Sequence, residues 1–310
     1  MVIFKELTVF TSNYNHSHFI ERKLKQITNQ VCRPKEYLII DDSSNDNSWE
    51  IIEKFSNRYD WIKSHRNNKN MGVVYNANRA LELTNTELFY PTSSDDVIKE
   101  DAFQLVNKYH QKNKAKGVIL GNMQIIDEED NIVSIIKPRG LPETTEIMPE
   151  KYFSDYLKLQ TPQFSLGTAT YYYTNALKEV GGFQKEVGPY CDTIACNLIG
   201  LQFGGNYINK TLASWRLLNE SYSQSVMSNL ESVIEMVSNT VCIYNKRRTF
   251  ESLDENYLRN WAEEYIKTTI SSNLSKITWG KQIDYIAYCN KILQKKQYDF
   301  ILTNDFILSR

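Results

Sequence analysis

Short apolar runs alternate with helix-like patterns along residues 7–120, and this alternation limits the fold more than any other feature. After the first run, Ile20, Leu24, Ile27 and Val31 recur at spacings of three and four residues, which is one face of a helix. Further strand-like runs lie at 37–40, 61–65, 88–90 and 118–120. Strands that alternate with helices form βαβ units, so the sequence predicts an α/β fold with a mixed, mainly parallel sheet flanked by helices.

The pattern changes after residue 120. Apolar pairs flank the acidic segment 127–131, which predicts a hairpin, and residues 137–150 hold three prolines, which favours a loop. From about residue 225 the apolar residues keep helical spacing, so a helical C-terminal extension is predicted. Pro34 is expected to end the first helix, because proline disfavours helical geometry in the residue before it.

An acidic pair follows two of the strand-like runs: Asp41-Asp42 ends the second run and Asp95-Asp96 stands shortly after the fourth. In an open α/β sheet, ligands bind outside the carboxyl ends of the strands. The two pairs are therefore expected at one site that holds a polar ligand and a metal ion. A structural explanation stands beside this one, because Asp and Ser also form turns and cap helices, and a helix is predicted to begin near Val97.

Individual residues in these segments suggest separate roles. Asp42 can accept the N3–H of a uracil or thymine ring, since a carboxylate only accepts hydrogen bonds. The oxygens of Asp95-Asp96, together with substrate phosphates, are typical ligands of Mg²⁺ or Mn²⁺. Gly72 lets the backbone approach a ligand closely. Asp192 opens a predicted helix, where it is either favoured by the helix dipole or acts as a general base toward an acceptor hydroxyl.

Composition and missing motifs exclude several classes of protein. The net charge of −1 gives no general attraction to nucleic acid. Five scattered cysteines without metal-ligand spacing are typical of reduced thiols in a cytosolic protein. The chain shows neither signal-peptide architecture nor an apolar run of the roughly 18 residues that a membrane span needs, so a cytoplasmic location is predicted. Dinucleotide-binding and Walker-type glycine motifs do not occur.

Taken in order along the chain, these motifs resemble the family 2 glycosyltransferases with the GT-A fold. No single motif decides the resemblance, which rests on the order and spacing of the set over most of residues 6–220. The segments that carry it are Ser12-Asn13-Tyr14-Asn15, Gln30, Glu36, the run from Ile39 to Asp46, Asn70-x-Gly72, Asn78, the segment from Gly167 to Phe183, Asp192 and the run from Trp215 to Asn219.

The resemblance implies a role for each matching position. Asp192 would be the catalytic base, and Asp96 would ligate a Mn²⁺ or Mg²⁺ cofactor. Asp95 would lie near the ribose. The whole nucleotide-binding set would be Ser12, Tyr14, Asp42, Gly72, Asn78 and Asp95.

Three positions depart from the family's pattern. Ser93 stands where many relatives carry the first Asp of Asp-x-Asp-Asp, which leaves fewer carboxylates for a metal. Cys191 replaces an acidic neighbour of the base, although Asp192 itself is kept. Asn219 stands where a histidine is often found, so a third metal ligand is in doubt.

The resemblance implies an inverting, metal-dependent glycosyltransferase. The donor would be a nucleotide-sugar, a UDP-sugar before a dTDP-sugar, and the acceptor a glycan or lipid-linked glycan of bacterial capsule, lipopolysaccharide or another surface polysaccharide. One alternative is a catalytically degenerate scaffold that binds nucleotide-sugars. The other is a sugar nucleotidyltransferase, which is disfavoured because the loop at 11–16 has neither glycine nor lysine to grip a triphosphate.

The predicted organisation is a GT-A domain over 1–220 and a helical region over 221–310. Within the first domain, 1–100 is predicted to bind the nucleotide-sugar and 101–220 the acceptor. Three roles are open for the helical region: homo-oligomer formation, covering of the acceptor groove, or peripheral contact with the inner face of a membrane. Its basic clusters are short, which is more typical of a solvated helix face than of a membrane-binding patch.

Overall fold

Strands and helices alternate through most of the computed structural model, which describes residues 2–112, 116–218, 221–247 and 253–296. The strands are β1 (Val2–Asn13), β2 (Cys32–Asp41), β3 (Ile62–Arg66), β4 (Leu88–Pro91), β5 (Val97–Ile98), β6 (Val118–Ile126), β7 (Ile132–Ile136), β8 (Thr145–Ile147), β9 (Thr170–Tyr173) and β10 (Gly205–Arg216). The helices are α1 (Ser17–Thr28), α2 (Ser48–Arg58), α3 (Val73–Leu83), α4 (Ala102–His110), α5 (Pro149–Lys151), α6 (Thr174–Glu179), α7 (Cys191–Phe203), α8 (Tyr222–Met227), α9 (Leu230–Lys246), α10 (Glu255–Leu274) and α11 (Trp279–Lys295).

All ten described strands join one mixed sheet, whose main order is β3-β2-β1-β4-β9-β6-β10-β5. Neighbours β3, β2, β1 and β4 run parallel, and so do β6 and β10. Strand β9 is antiparallel to both of its neighbours, β4 and β6. The prediction of a mixed, mainly parallel sheet flanked by helices is therefore confirmed, and it places the carboxyl ends of β1, β2 and β4 along one edge.

The predicted hairpin with an acidic turn is confirmed. Strands β6 and β7 pair antiparallel, with Met123 opposite Ile136 and Ile125 opposite Ser134. In the turn between them, the Asp127 carboxylate accepts the backbone N–H of Asn131 at 2.8 Å. This side chain thereby closes the turn.

The prediction that Pro34 ends the first helix is wrong. Helix α1 already ends at Thr28, Val31 beyond it is 44% exposed, and Pro34 lies inside β2. Pairing explains why the sheet tolerates this proline. Pro34 pairs with Phe4 of β1, whereas pairing with β3 begins only at Tyr37, so on the β3 side no strand needs the missing N–H.

Two other boundaries were set by contacts between distant parts of the chain, which local rules do not capture. The helix expected near Val97 begins at Ala102, and Val97 instead belongs to the short strand β5. The predicted loop at 137–150 contains strand β8. Both short strands pair with the same edge of β10, opposite β6: β8 near Gly205 and β5 near Ser214.

The chain divides into two compact units, and the sheet lies in the first, which covers 1–160, 164–185 and 191–218. The second unit holds helices α8–α11 with the short segments 161–163 and 186–190. Within this second unit, the ring of Tyr190 packs against Trp261 and Tyr265 of α10. The prediction of helix from about residue 225 is confirmed for the described residues, and none of their helices is long and apolar enough to span a membrane.

Candidate functional site

Three polar loops meet where β1, β2 and β4 end. Strand β1 lies between the other two, and its Asn13 accepts the backbone N–H of Asp42 at 2.8 Å. On its other side, Phe10 accepts the backbone N–H of Thr92 at 2.9 Å. The sheet therefore delivers the loops after all three strands to one edge, as the sequence predicted for the two acidic pairs.

Asp41, the first acid of the first pair, braces its own turn. Its buried carboxylate accepts hydrogen bonds from the Asn13 amide at 3.0 Å and from the Ser44 hydroxyl at 2.6 Å. The Ser44 backbone N–H donates to the other carboxylate oxygen at 3.0 Å, and Arg66 lies 3.4 Å from that oxygen. Asp41 thus has the structural role that the turn-forming composition of this segment suggested.

Asp42 points the other way and organises a second loop. Its Oδ1 accepts the Asn67 side-chain amide at 2.7 Å and the Met71 backbone N–H at 2.8 Å, and its Oδ2 accepts the Gly72 backbone N–H at 2.8 Å. Gly72 has φ +87°, a conformation that side-chain-bearing residues rarely adopt. A carboxylate has about four lone-pair sites. By this count, one lone-pair site on Oδ2 is not used by these three hydrogen bonds, and Asp42 is 2% exposed.

Two asparagines that sequence reasoning missed connect Asp42 to Ser12. The Asn67 amide donates to Asn76 Oδ1 at 2.7 Å, and the Asn76 amide donates to the Ser12 hydroxyl at 3.0 Å. Asn76 is fully buried on the otherwise apolar inner face of α3, and that placement was the only sequence signal for it. Ser12 lies at the end of β1, and Tyr14 in the loop that follows is 45% exposed.

Asn78, predicted to bind nucleotide, makes a structural contact. Its side-chain amide donates to the Phe183 carbonyl at 2.9 Å and accepts the Phe183 backbone N–H at 2.8 Å. A Cβ on Gly182 would lie 2.5 Å from the Asn78 side-chain oxygen, so the glycine leaves room for this pairing. Both ends of the amide are thus engaged in holding α3 to the Gly182-Phe183 turn.

Asp96 is the buried member of the second acidic pair. Its Oδ2 accepts the Thr168 hydroxyl at 2.9 Å, and its Oδ1 accepts the Arg216 backbone N–H at 3.2 Å. Burial, and then repulsion from the half-buried Asp95, raise the pKa of Asp96 to about 7. The positive charge near Asp96 therefore does not fully balance the negative charges of the two neighbouring carboxylates.

The loop at 92–96 carries Asp95 and Asp96 and is here called the carboxylate loop. Two side chains from the start of the chain support it. The buried ammonium group of Lys23 donates to the Thr92 hydroxyl at 3.1 Å, and burial lowers the Lys23 pKa to about 8. His16 Nδ1 and the Ser94 hydroxyl are hydrogen-bonded at 2.7 Å. Because burial also lowers the pKa of His16, the loop after β1 contributes mainly neutral hydrogen bonding, and Lys23 contributes the positive charge.

The donor set fits a metal that takes most of its ligands from a substrate. No group of three or more acidic, histidine or cysteine side chains that could hold a metal occurs in the described part of the chain. Mg²⁺ and related ions, however, bind one or two carboxylates together with substrate phosphates. Asp96, with Asp95 beside it, supplies that minimum, and a divalent cation would relieve the repulsion that raises the pKa of Asp96.

Asp192 is half-buried at the start of α7. Its Oδ1 accepts the Thr193 backbone N–H at 2.6 Å, and the Thr193 hydroxyl donates to Ser165 Oγ at 2.8 Å. Burial raises the pKa of Asp192 above the usual range of an aspartate. Its other oxygen, Oδ2, lies so close to Gly167 that a Cβ there would be 1.6 Å away. The carboxylate is thus held in one position by hydrogen bonds on one side and by a bare glycine on the other.

The turn at Gly167-Thr168 brings the two key acids together. Thr168 holds Asp96 through its hydroxyl, while Gly167, the residue before it, packs against Asp192. The Tyr90 hydroxyl fixes this turn by donating to the Thr168 carbonyl at 2.7 Å. A carboxylate suited to a metal and a carboxylate suited to proton transfer therefore flank a single turn.

Arg216 holds the carboxylate loop in place through hydrogen bonds to main-chain carbonyls. Its guanidinium is almost fully buried and donates to the carbonyls of Asp95 at 2.9 Å, Asp127 at 2.8 Å and Glu128 at 3.0 Å. A fourth contact is an ion pair with Asp130. Arg216 thus ties the carboxylate loop to the β6–β7 turn. Ser93 is exposed, and Asn219, the other departure near this segment, lies outside the described residues.

Solved structures with a similar fold include a mannosyltransferase and a complex with a nucleotide-sugar. Staphylococcus aureus TarS residues 1–349, in complex with UDP-GlcNAc, superposes with a TM-score of 0.68 at 17% identity, covering 93% of this chain and 81% of that one. The mannosyltransferase PcManGT from Pyrobaculum calidifontis, in complex with GDP-Man and Mn²⁺, superposes with a TM-score of 0.52 at 17% identity, covering 94% and 81%. These likenesses confirm the predicted GT-A fold.

Sequence comparison extends the likeness to a family. The poly(ribitol-phosphate) β-N-acetylglucosaminyltransferase TarP of Staphylococcus aureus is 24% identical over 153 residues, which is 48% of this chain. The chain spans less than half the length of the curated relatives it matches, 46% in the case of TarP. The family model described as "Glycosyl transferase family 2" matches residues 8–181, more than half of the chain. The chain therefore belongs to glycosyl transferase family 2.

Proposed function

We propose that this protein is an inverting glycosyltransferase that moves a sugar from a UDP-sugar to a hydroxyl of a glycan acceptor. The observation that carries the proposal is the placement of Asp96 and Asp192 on the two sides of the Gly167-Thr168 turn. A group transfer from a diphosphate needs negative charge neutralised at the leaving group and a base at the nucleophile. The two acids match these two needs, and residues 1–220 would form the catalytic domain.

The nucleoside would bind against the loops after β1 and β2. Asp42 keeps one lone-pair site on Oδ2, which would accept the N3–H of uracil. Ser12 lies at the end of β1 and the exposed Tyr14 in the loop after it, and Gly72 supplies the backbone that shapes the Asp42 site. UDP is favoured because TarS is solved with UDP-GlcNAc and with UDP. Asn78 would support the fold and not contact the nucleotide.

The diphosphate would lie beside the carboxylate loop. Asp95 would face the ribose, and Asp96 would hold a Mn²⁺ or Mg²⁺ ion that enters with the donor. When bound, such an ion neutralises the negative charge that grows on the departing nucleoside diphosphate. Lys23 adds a positive charge beneath the same loop, which would stabilise the negative charge of the diphosphate without replacing the carboxylate that Ser93 does not provide.

Asp192 would remove the proton from the acceptor. The acceptor oxygen forms a bond to the anomeric carbon as its proton passes to the Asp192 carboxylate, and the bond from that carbon to the diphosphate oxygen breaks. Attack from the side opposite the diphosphate inverts the anomeric centre. A pKa raised by burial suits this role, because a stronger base accepts the proton more readily near neutral pH.

The acceptor would be a glycan or lipid-linked glycan of the bacterial surface. TarP, by its name, glycosylates a poly(ribitol-phosphate), and another relative, from Campylobacter jejuni, is named as a glucosyltransferase acting on an undecaprenol-linked glycan. One name describes a polymer of ribitol phosphate, and the other describes a lipid-linked glycan. The same class of acceptor is therefore the first to screen.

A thermal-shift panel followed by a turnover assay tests the proposal. UDP, dTDP, GDP, CDP and ADP would each be added with and without Mn²⁺, since a ligand that binds only the folded state raises the melting temperature. We expect a Mn²⁺-dependent shift with UDP, which the D96N variant loses and the D192N variant keeps. The matched control is D101N, because Asp101 is exposed and caps α4 without a side-chain hydrogen bond.

Turnover separates an enzyme from a degenerate scaffold. With a panel of UDP-sugars, the wild type and D101N should release UDP, and D192N should not. Nucleotide binding without turnover in the wild type, for any donor and acceptor tried, would favour the scaffold. The absence of a shift with every nucleotide would overturn the donor site itself.

A further inference from the structure

Strand β7 exposes apolar side chains on both of its faces. Ile132 is 60% exposed, Val133 57% and Ile135 49%, and Ser134 between them is also exposed. Successive side chains of a strand point to opposite faces, so neither face of this strand is covered. Isolated apolar residues are common on protein surfaces, but a contiguous apolar strand is typical of an interaction site.

One edge of β7 is also free to pair. Among the described residues, β7 is bonded only to β6, through the register of Met123 with Ile136 and Gln124 with Ile135. Its other edge therefore presents a row of backbone donors and acceptors. Such an edge readily accepts another strand, and proteins usually protect it with charges or proline within the strand. The five residues of β7 contain neither a charge nor a proline.

The charges that flank β7 indicate which strand would pair with it. Glu129 precedes the strand, whereas Lys137 and Arg139 follow it, and all three are exposed. An antiparallel copy of the same segment, centred on Ser134, would bring the turn that carries Glu129 to the end of the strand where the partner's Lys137 and Arg139 lie. A parallel copy would place acid beside acid and base beside base. The segment is therefore complementary to itself only in the antiparallel direction.

We propose that β7 pairs antiparallel with β7 of a second copy of this chain, about a two-fold axis at Ser134. Val133 of each copy would then lie opposite the partner's Ile135, and these cross-strand pairs would shield part of the exposed apolar surface from water. A two-fold contact uses the same surface on both copies and closes without forming a fibre. This interface differs from the C-terminal helices that the sequence suggested for oligomer formation, and it does not depend on the proposed catalytic activity.

Sedimentation velocity over a concentration series tests this interface with the full chain. The wild type should show a monomer–dimer equilibrium, and the double variant V133K/I135K should sediment as a monomer. Both replaced side chains are exposed, so the variant should fold, which circular dichroism and the melting temperature check. The control is I283K on α11, where an apolar residue that is 57% exposed receives the same charge in the second unit. It should dimerise like the wild type.

A charge swap tests the direction and register of the pairing. E129R alone and R139E alone should each weaken the dimer several-fold, because each places like charges opposite one another twice in the symmetric interface. The double variant E129R/R139E should restore the wild-type dissociation constant. No restoration would overturn the proposed register.

Three results would overturn the interface as a whole. The first is a wild type that stays monomeric at every concentration, and the second is a V133K/I135K variant that still dimerises. The third is a dimer lost in I283K but kept in V133K/I135K, which would place the contact on the C-terminal helices. A monomeric wild type that binds anionic lipid vesicles through β7 would assign this surface to a membrane instead.

Discussion

Replacing Gly167 by alanine should move the proposed base without unfolding the protein. The new Cβ would lie 1.6 Å from Asp192 Oδ2, and about 3.0 Å is the closest approach that real Cβ atoms show. The carboxylate must therefore shift by about 1.4 Å. Gly167 does not have a positive φ, so alanine is compatible with its backbone. The two atoms that its Cβ displaces, Oδ2 and Cγ of Asp192, are at the end of a flexible side chain. The change in unfolding free energy should stay within about 1 kcal/mol.

The loss of activity should be much larger than the loss of stability. A misplacement of about 1 Å can cost on the order of 10²-fold in rate, and general base catalysis as a whole contributes roughly 10²–10⁴-fold. We expect kcat for UDP release from the accepted UDP-sugar to fall by about 10²-fold or more. The melting temperature and the affinity for UDP should stay close to the wild-type values. The D192N variant provides the lower limit of activity.

The matched control is the same substitution in a protein whose base is already disabled. In a double-mutant cycle, G167A should cost little further activity in the D192N background, because both changes act through one carboxylate. A G167A protein with wild-type kcat would refute the reasoning, since Asp192 could then be displaced without consequence. An equal loss from G167A in both backgrounds would show that the glycine acts through some other group.

Two further predictions follow from the same geometry. With Mn²⁺ saturating, kcat should rise with pH through a pKa above the usual range of an aspartate, because burial raises the pKa of Asp192 and only its ionised form accepts a proton. A kcat that does not change with pH across the acidic and neutral range would argue against this base. N78A should lower the free energy of unfolding by about 1–3 kcal/mol, measured by urea denaturation, because it leaves two backbone groups of Phe183 without their partner. The affinity of N78A for UDP, measured by calorimetry, should not change, and a clear loss would return Asn78 to the nucleotide-binding set.

The sheet was predictable because its signal is local. Alternating apolar runs and helical faces define βαβ units without any knowledge of distant contacts, and the edge where Asp42 and Asp96 meet follows from strand polarity. The boundaries that failed depended on partners far along the chain. Pro34 is tolerated because β3 starts late, and Val97 is extended because it pairs with Ser214.

The site was predictable in its acids but not in what holds them. Turn composition could not decide between Asp41, which braces its own loop, and Asp42, which keeps a free acceptor site. That choice depends on which way each side chain points at the end of β2. The link from Asp96 to Asp192 through Thr168 and Gly167 also requires three distant segments to fold together, so no local pattern records it.

The way Arg216 holds its neighbours affects how freely this site can change. Three of its four acceptors are main-chain carbonyls, those of Asp95, Asp127 and Glu128. Main-chain acceptors remain when side chains are replaced, so the sequence of the carboxylate loop can drift while its position is kept. When the carboxylate loop is exchanged between related proteins, it should therefore keep its position as long as the recipient has this arginine. Substitutions at 93–95 should likewise leave the position of this loop unchanged.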